Sequence, residues 1–129
     1  MRLIDTSAWI EWLLASEAGR QVNELLPTAE DWLVPTMVQF ELAKWVTREL
    51  GEHRSDEVVA FSQTCRVEPL STAIALHAAD LSRTHKLAAA DAIIYATALS
   101  RDADIVTCDQ HFRDLPEVKL IRKGRPIGP

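Results

Sequence analysis

Short apolar runs alternate along the whole chain with longer segments of helical periodicity, and this alternation limits the possible folds severely. The short runs predict five strands, with the sequences RLI, DWLV, RVEPL, DIVTC and VKLI. Between them, apolar spacings of three and four residues predict helices at about 7–15, 17–26, 36–50, 55–63, 72–84 and around Asp91, and a helical turn near 110–115. Strands separated by helices favour a parallel sheet that is covered on both faces. We therefore expect an α/β fold, a three-layer sandwich around about five short parallel strands.

Residues typical of helix termini mark both ends of the third predicted helix. Thr36 and Gln39 have the spacing of a capping box, in which two side chains bond free backbone N–H groups of the first turn. Gly51 follows the last turn, where glycine commonly ends a helix. The sequence therefore predicts a helix over residues 36–50.

The length and composition indicate one folded domain over residues 1–129. With 47% hydrophobic and 26% charged residues, the chain differs from disordered proteins. It contains no run of 18 uncharged apolar residues that would cross a membrane, and it does not open on a secretory signal pattern. Cys65 and Cys108 match no metal or redox spacing. We expect a reduced cytoplasmic protein.

The net charge of −5, from 19 acidic and 14 basic residues, argues against binding of nucleic acid through charge alone. The basic residues are unevenly distributed, because five of the 14 fall in the last seventeen positions: Arg113, Lys119, Arg122, Lys123 and Arg125. This basic segment fits contacts with phosphate groups, and it fits a solvated terminus equally well.

Two carboxylates lie on helical faces that are otherwise apolar. Asp91 shares a face with Ile94, and Glu41 falls on the stripe of Val38 and Leu42. The helix dipole explains an acid in the first turns, as at Asp91, but not its inward position. A buried carboxylate without a partner shifts its pKa upward, so we expect a cation or a strong donor near Glu41.

Two further carboxylates follow predicted strands directly. Asp5 follows RLI, and Asp109 follows DIVTC. Both positions also suit an ordinary N-cap of the next helix. However, the carboxyl ends of parallel strands are where open α/β sheets bind their ligands.

The four acids are most simply explained if they converge on one edge of the sheet. Carboxylates brought together repel one another unless they are protonated or bridged by a cation. Oxygen ligands favour Mg²⁺ or Mn²⁺ over zinc, and no His or Cys pair has zinc spacing. Such a site suits attack of water on a phosphodiester.

Four segments in order along the chain resemble the signature segments of PIN-domain ribonucleases. They are LIDTSAWIEWL, PTMVQFELAK, LAAADAIIYATAL and IVTCDQHF. The small size and the DTSAWIEWL opening are most similar to the VapC toxins of toxin–antitoxin pairs. The resemblance covers essentially the whole chain and implies a PIN-like fold.

The resemblance also implies a Mg²⁺- or Mn²⁺-dependent endoribonuclease that cleaves structured RNA of the transfer or ribosomal class. Four acids match the family's catalytic and metal-binding set: Asp5, Glu41, Asp91 and Asp109. Three residues match hydroxyl positions that support the metal shell: Thr6, Ser7 and Thr107. We expect Asp5 and Asp91 to be the main ligands, Glu41 a ligand or a base acting through water, and Asp109 a ligand of a second, weaker metal.

The partners that the resemblance implies are RNA, a second copy of the chain and a small VapB-type antitoxin whose segment fills the site. Four basic residues are candidates for contact with the RNA: Arg113, Lys119, Arg122 and Lys123. The helix SAWIEWLLA is apolar on nearly every side. Trp9, Trp12 and Leu13 therefore suit either the core or a partner surface.

The histidines offer a weaker, metal-free alternative. A ribonuclease of that kind needs a pair of histidines for acid–base work, and the four in this chain are scattered. His77 shares a helical face with Ile74 and Ala78, so we expect it in the core. His111 lies two residues after Asp109, close enough to contact substrate.

Other functions stay open at this level. A receiver-like or phosphatase-like domain would need paired acids after the first strand and a lysine after a late one, and neither is present. A PIN nuclease of RNA processing without an antitoxin, and a PIN-like module that only binds, both fit the sequence.

Overall fold

Five parallel strands form a single sheet in the computed structural model, which describes residues 1–123. The strands are β1 (Arg2–Ile4), β2 (Trp32–Pro35), β3 (Arg66–Glu68), β4 (Asp104–Thr107) and β5 (Val118–Leu120). Their order across the sheet is β3-β2-β1-β4-β5, and every neighbouring pair is parallel. The central strand β1 therefore pairs with β4 from the far end of the chain, with Arg2 opposite Asp104.

Helices connect the first four strands and pack in sequential pairs. Within the described residues they are α1 (Thr6–Leu13), α2 (Glu17–Leu25), α3 (Thr36–Leu50), α4 (Glu52–Ser62), α5 (Thr72–His85) and α6 (Ala89–Ser100). The pairs are α1 with α2, α3 with α4, and α5 with α6. Short 3₁₀ turns occupy Ala29–Asp31 and Gln110–Phe112. In the part of the chain described here, no helix is long and apolar enough to span a membrane.

The core lies on both faces of the three middle strands. Consecutive residues of a strand point to opposite faces, and both Leu3 and Ile4 are fully buried, as are Leu33 and Val34 of β2. Burial of both faces is the expected property of a parallel sheet between helical layers. The predicted α/β sandwich of about five parallel strands is confirmed.

Close contact between α1 and α2 requires glycine at position 19. A Cβ atom built on Gly19 would lie 2.0 Å from the carbonyl oxygen of Glu11, well inside contact distance. Ser16 begins α2, because its hydroxyl accepts the backbone N–H of Gly19. This packing fixes the position of α1, the helix that follows Asp5.

The predicted capping box at the start of α3 is wrong. Strand β2 leads straight into the helix, so Pro35 holds the N-cap position and has no N–H group for a capping side chain to bond. Thr36 instead accepts the backbone N–H of Leu70, and Gln39 donates to the hydroxyl of Ser62. The predicted bounds of α3 are nevertheless confirmed.

The prediction that His77 lies in the core is also wrong. Helix α5 buries a narrow stripe that includes Ile74 and Ala78, and His77 is exposed. The other helix bounds differ from the predictions by a few residues. The largest shift is in α4, which begins at Glu52 rather than near residue 55.

Candidate metal centre

Asp5 and Asp109 lie at the same edge of the sheet because β1 and β4 are neighbours. The backbone N–H of Asp5 donates to the carbonyl of Val106 at 2.9 Å, which extends the pairing of the two strands by one residue. Asp5 then precedes α1, and Asp109 precedes the 3₁₀ turn. This is the carboxyl edge at which ligands of parallel sheets bind.

Two hydroxyl groups hold the carboxylate of Asp5. Thr107 Oγ1 and Ser7 Oγ both donate to Asp5 Oδ2, at 2.7 and 2.9 Å. The same two hydroxyl oxygens accept backbone N–H groups, Thr107 from Asp109 and Ser7 from Cys108, each at 2.9 Å. The network ties the end of β4 to the carboxylate that follows β1. The ordinary alternative, that the Asp5 side chain caps α1, does not hold, since it makes no cap hydrogen bond.

Burial dominates the electrostatics of Asp5. Its exposed fraction is 4%, and burial raises its pKa from 3.8 to about 6 against the lowering effect of the hydrogen bonds from Thr107 and Ser7. The charge of Glu41 raises the pKa further. The ionised form of Asp5 is therefore poorly stabilised by the protein alone.

Glu41 lies in the second turn of α3 and is half-buried. Its Oε1 accepts a hydrogen bond of 2.6 Å from Thr6 Oγ1, at the start of α1. The donor that the sequence predicts near Glu41 is thus a hydroxyl group. It does not neutralise the charge.

Asp91 lies in the first turn of α6, with a side chain that is 17% exposed. Burial raises its pKa, and the charges of Asp109 and Glu41 raise it further, whereas His111 lowers it. Asp91 therefore interacts with two of the other three acids. Its inward position on an apolar helix is as the sequence predicts.

Asp109 has the ordinary capping role as well as a place in the cluster. Its Oδ1 accepts the backbone N–H of His111 at 2.9 Å, so it caps the 3₁₀ turn. The same oxygen lies 3.3 Å from His111 Nδ1. Capping and proximity to Asp91 are both satisfied by one conformation.

Asp91, Asp109 and His111 form a group of possible metal ligands within residues 1–123. One ligand atom from each lies within 4.8 Å of the others. Asp5 and Glu41 are not members of this group, but Glu41 acts electrostatically on both Asp5 and Asp91. The structure thus places Asp91 and Asp109 side by side. The charge of Glu41 acts on both Asp91 and Asp5, so Glu41 lies between the pair and Asp5 electrostatically.

The donor chemistry of the cluster suits a divalent cation. Within residues 1–123, no Lys or Arg forms an ion pair with Asp5, Glu41, Asp91 or Asp109, and the basic side chain that lies against Asp91 and Asp109 is the imidazole of His111. Carboxylates in such proximity are stabilised when a cation lies among them. The raised pKa values of Asp5 and Asp91 are the expected property of a site built to receive positive charge.

The four candidate RNA-binding residues are all exposed. Lys119 lies on the edge strand β5, where a lysine also protects the strand from pairing with other chains. Burial raises the pKa of Cys108 to about 11, and the charge of Lys123 acts against that rise, so Lys123 lies near the end of β4. Arg113 pairs with Asp114 at 3.7 Å. Arg125 lies outside the described residues.

An aromatic groove lies between α1 and α4. Trp9 is fully buried, Trp12 and Leu13 are half-buried, and Phe61 of α4 is 38% exposed. The rings of Trp12 and Phe61 are 5.9 Å apart. Together with Arg54, Glu57 and Val58 these side chains line a groove of about 180 Å³. The sequence left Trp9, Trp12 and Leu13 open between core and partner surface, and the structure places Trp9 in the core.

Comparisons with known proteins give one family and one fold. A family model described as the PIN domain matches residues 2–118. Comparison with curated proteins gives no match. Among solved structures, a toxin–antitoxin complex from Klebsiella pneumoniae is similar, with a TM-score of 0.79 and 23% identity over 92% of this chain and 96% of that chain.

Two more solved structures have the same fold. The DNA-bound VapBC complex of Salmonella typhimurium gives a TM-score of 0.69 and 23% identity, covering 93% of this chain and 97% of that chain. Mycobacterium tuberculosis VapC20, described as a sarcin–ricin loop cleaving toxin, gives a TM-score of 0.73 and 17% identity, covering 93% of this chain and 98% of that chain. At these identities the likeness shows a common fold.

Proposed function

Since the chain belongs to the PIN-domain family, we propose that it is a divalent-metal-dependent endoribonuclease and the toxin of a VapBC-type pair. One observation carries the proposal. Asp91 and Asp109 lie together at the carboxyl edge of the sheet, linked through Glu41 to the buried Asp5, and no Lys or Arg in residues 1–123 neutralises them.

The metal would be Mg²⁺ or Mn²⁺, held by Asp91 and Asp109 with Asp5 and Glu41 completing the acidic set. When bound, such an ion polarises a phosphoryl oxygen and lowers the pKa of the attacking water. The protein supplies a fixed array of oxygens to position the ion.

Hydroxyl groups keep these oxygens in place. Thr107 and Ser7 fix Oδ2 of Asp5, and each is itself fixed by a backbone N–H. Thr6 fixes Oε1 of Glu41. The other oxygen of Glu41 would then either bind the ion or, acting through a water molecule, accept a proton.

Structured RNA is the proposed substrate class. The proposed class is ribosomal or transfer RNA, and the structural likeness to VapC20, which is described as cleaving the sarcin–ricin loop, supports the ribosomal part of it. Exposed basic residues near the carboxyl terminus supply contacts for phosphate groups: Arg113, Lys119, Arg122 and Lys123. With a net charge of −5, binding depends on these local charges rather than on the whole surface.

A VapB-type antitoxin is the proposed partner, and the aromatic groove between α1 and α4 is the proposed seat of one of its segments. Several of the similar structures are toxin–antitoxin complexes. The groove presents half-buried and exposed apolar groups at Trp12, Leu13 and Phe61. An apolar segment of the antitoxin would remove this surface from water.

A homodimer is also proposed. Phe40 of α3 and Leu76 of α5 are 61% and 66% exposed, and Leu70 is 46% exposed. Apolar groups exposed to this extent on a small domain suit contact with a second copy of the chain. Sedimentation equilibrium tests this directly, and a monomer at all concentrations would contradict it.

Expression in a bacterium tests the proposed function as a whole. The wild type, Asp5→Asn and the control Asp31→Asn, which alters an exposed acid outside the site, are induced, and growth and new RNA ends are followed. We expect growth arrest and discrete cleavage sites for the wild type and the control only. Equal effects from all three would contradict a toxin that acts through this site.

A further inference from the structure

We infer that His111 is a direct nitrogen ligand of the metal centre, which makes the centre favour Mn²⁺ and later transition ions over Mg²⁺. The inference rests on the proposed function, because it assumes that Asp91 and Asp109 bind a cation. It concerns a residue that is not one of the four acids of the proposed centre.

The distances around His111 fit coordination better than hydrogen bonding. Its Nδ1 lies 3.3 Å from Asp109 Oδ1 and 3.5 Å from Asp91 Oδ2. An N–H···O hydrogen bond usually spans about 2.7–3.2 Å, so a hydrogen bond from Nδ1 to either carboxylate would be long and weak. Ligands bound at about 2.1 Å lie about 3.0 Å apart in octahedral geometry and about 3.4 Å apart in tetrahedral geometry. Both separations from Nδ1 are thus close to those of neighbouring ligands of one ion, and the ligand atoms of all three residues lie within 4.8 Å of one another.

The backbone holds His111 in this place. Asp109 accepts the N–H of His111 and so turns the chain back toward its own carboxylate. The next residue, Phe112, is fully buried and anchors the 3₁₀ turn in the core. The imidazole itself is 75% exposed. It therefore packs little, and its position follows from the turn.

A nitrogen ligand changes which ion the site prefers. Mg²⁺ favours oxygen ligands and keeps much of its water, whereas imidazole binds later divalent ions increasingly well. Zinc is disfavoured when all the ligands are oxygens, and His111 supplies a nitrogen. The same set of two carboxylates and one imidazole suits Mn²⁺, Co²⁺ and Zn²⁺.

Pulsed electron paramagnetic resonance of bound Mn²⁺ tests the inference without reference to activity. The wild type, His111→Gln and the control His77→Gln, which removes an exposed imidazole of α5, are each loaded with Mn²⁺. We expect ¹⁴N modulation from a coordinated imidazole in the wild type and in His77→Gln, and its loss in His111→Gln. Titration with Mn²⁺ and Mg²⁺ should show a loss of about tenfold in Mn²⁺ affinity for His111→Gln and a much smaller loss for Mg²⁺.

The outcomes separate this inference from the proposed function. Mn²⁺ that binds the wild type without ¹⁴N modulation would overturn the role of His111 and leave the acidic centre standing. Absence of Mn²⁺ binding at millimolar concentration in the wild type would overturn both. If His111→Gln fails to fold, the wild-type spectrum still tests the inference, because bound Mn²⁺ without ¹⁴N modulation would overturn it.

Discussion

Thr107 Oγ1 donates a 2.7 Å hydrogen bond to Asp5 Oδ2, although the two residues are 102 positions apart in the chain. The bond joins the ends of β1 and β4, and Thr107 is fully buried. Its oxygen in turn accepts the backbone N–H of Asp109. A single hydroxyl group therefore sets the positions of two of the four acids, and several consequences can be measured.

Asp5→Asn is expected to stabilise the metal-free protein at neutral pH. The pKa of Asp5 is about 6 in the folded chain and 3.8 ordinarily. Between these values the folded state binds a proton that the unfolded state releases, so the free energy of unfolding falls as pH rises through this window. Above pH 6 the wild type keeps this lower free energy of unfolding. From the difference in pKa we expect Asp5→Asn to be more stable there by up to about 3 kcal/mol.

Urea unfolding of the wild type and Asp5→Asn at pH 4 and pH 7, with a chelator present, measures this effect. An Asn oxygen in the place of Oδ2 keeps both hydroxyl bonds, so the variant should fold. We expect the advantage of Asp5→Asn to appear at pH 7 and to shrink toward pH 4. A variant that is less stable than the wild type at pH 7 would contradict the account of Asp5.

Thr107→Val is expected to weaken metal binding as well as the fold. It removes one donor to Asp5 and leaves the partly buried N–H of Asp109 without its acceptor, at a cost of about 1–3 kcal/mol. Thr107→Ser keeps the hydroxyl and should bind Mn²⁺ nearly as the wild type does. Calorimetric titration measures the affinity.

Thr97→Val is the matched control for this change. Thr97 is equally buried, but its hydroxyl bonds the carbonyl of Ile93 within α6. It should lose stability and retain Mn²⁺ affinity. Equal losses of affinity in Thr97→Val and Thr107→Val would show that general destabilisation, and not the bond to Asp5, is responsible.

Charge removal at Arg122 and Lys123 is expected to weaken RNA binding without affecting the fold. Both residues are exposed, and Lys123 lies near the end of β4. Each Gln substitution should reduce the slope of log affinity against log salt by somewhat less than one, as loss of one phosphate contact does. Arg20→Gln, in an exposed position of α2, is the control. If the slope is the same in the wild type and in all variants, Arg122 and Lys123 do not contact the RNA.

Phe61→Ser is expected to weaken the complex with the antitoxin. The ring is 38% exposed and lines the aromatic groove, so its loss should affect the partner more than the fold. The chain is co-expressed with the proposed antitoxin, and retention of the pair is measured. Leu50→Ser alters another exposed apolar residue, at 42% exposure, and should leave the complex intact. Retention of the complex by Phe61→Ser would contradict the proposal that the antitoxin binds in the aromatic groove.

Much of the centre could be predicted because its acids break local patterns. Glu41 and Asp91 occupy positions that helical periodicity assigns to apolar side chains, and Asp5 and Asp109 follow strands that the β-α alternation places in one parallel sheet. These signals lie within short windows of sequence. The positions of the acids in the fold follow from them.

The rest depended on tertiary structure. His111 approaches Asp91 only because the turn after Asp109 folds back, and no periodicity encodes that turn. The capping box failed because β2 continues directly to Pro35, so that Thr36 is already helical. His77 was misplaced because α5 buries a narrower stripe than the sequence pattern suggests.

The most direct test of the central claim is the rate of RNA cleavage in Mn²⁺ by the wild type and by Asp91→Asn. Asp91 is the acid on which the charges of Asp109, His111 and Glu41 all act. We expect Asp91→Asn to remain folded and to lose cleavage by about a hundredfold or more, because the ion would lose a ligand. Cleavage by folded Asp91→Asn at the wild-type rate would contradict an acidic metal centre as the site of catalysis.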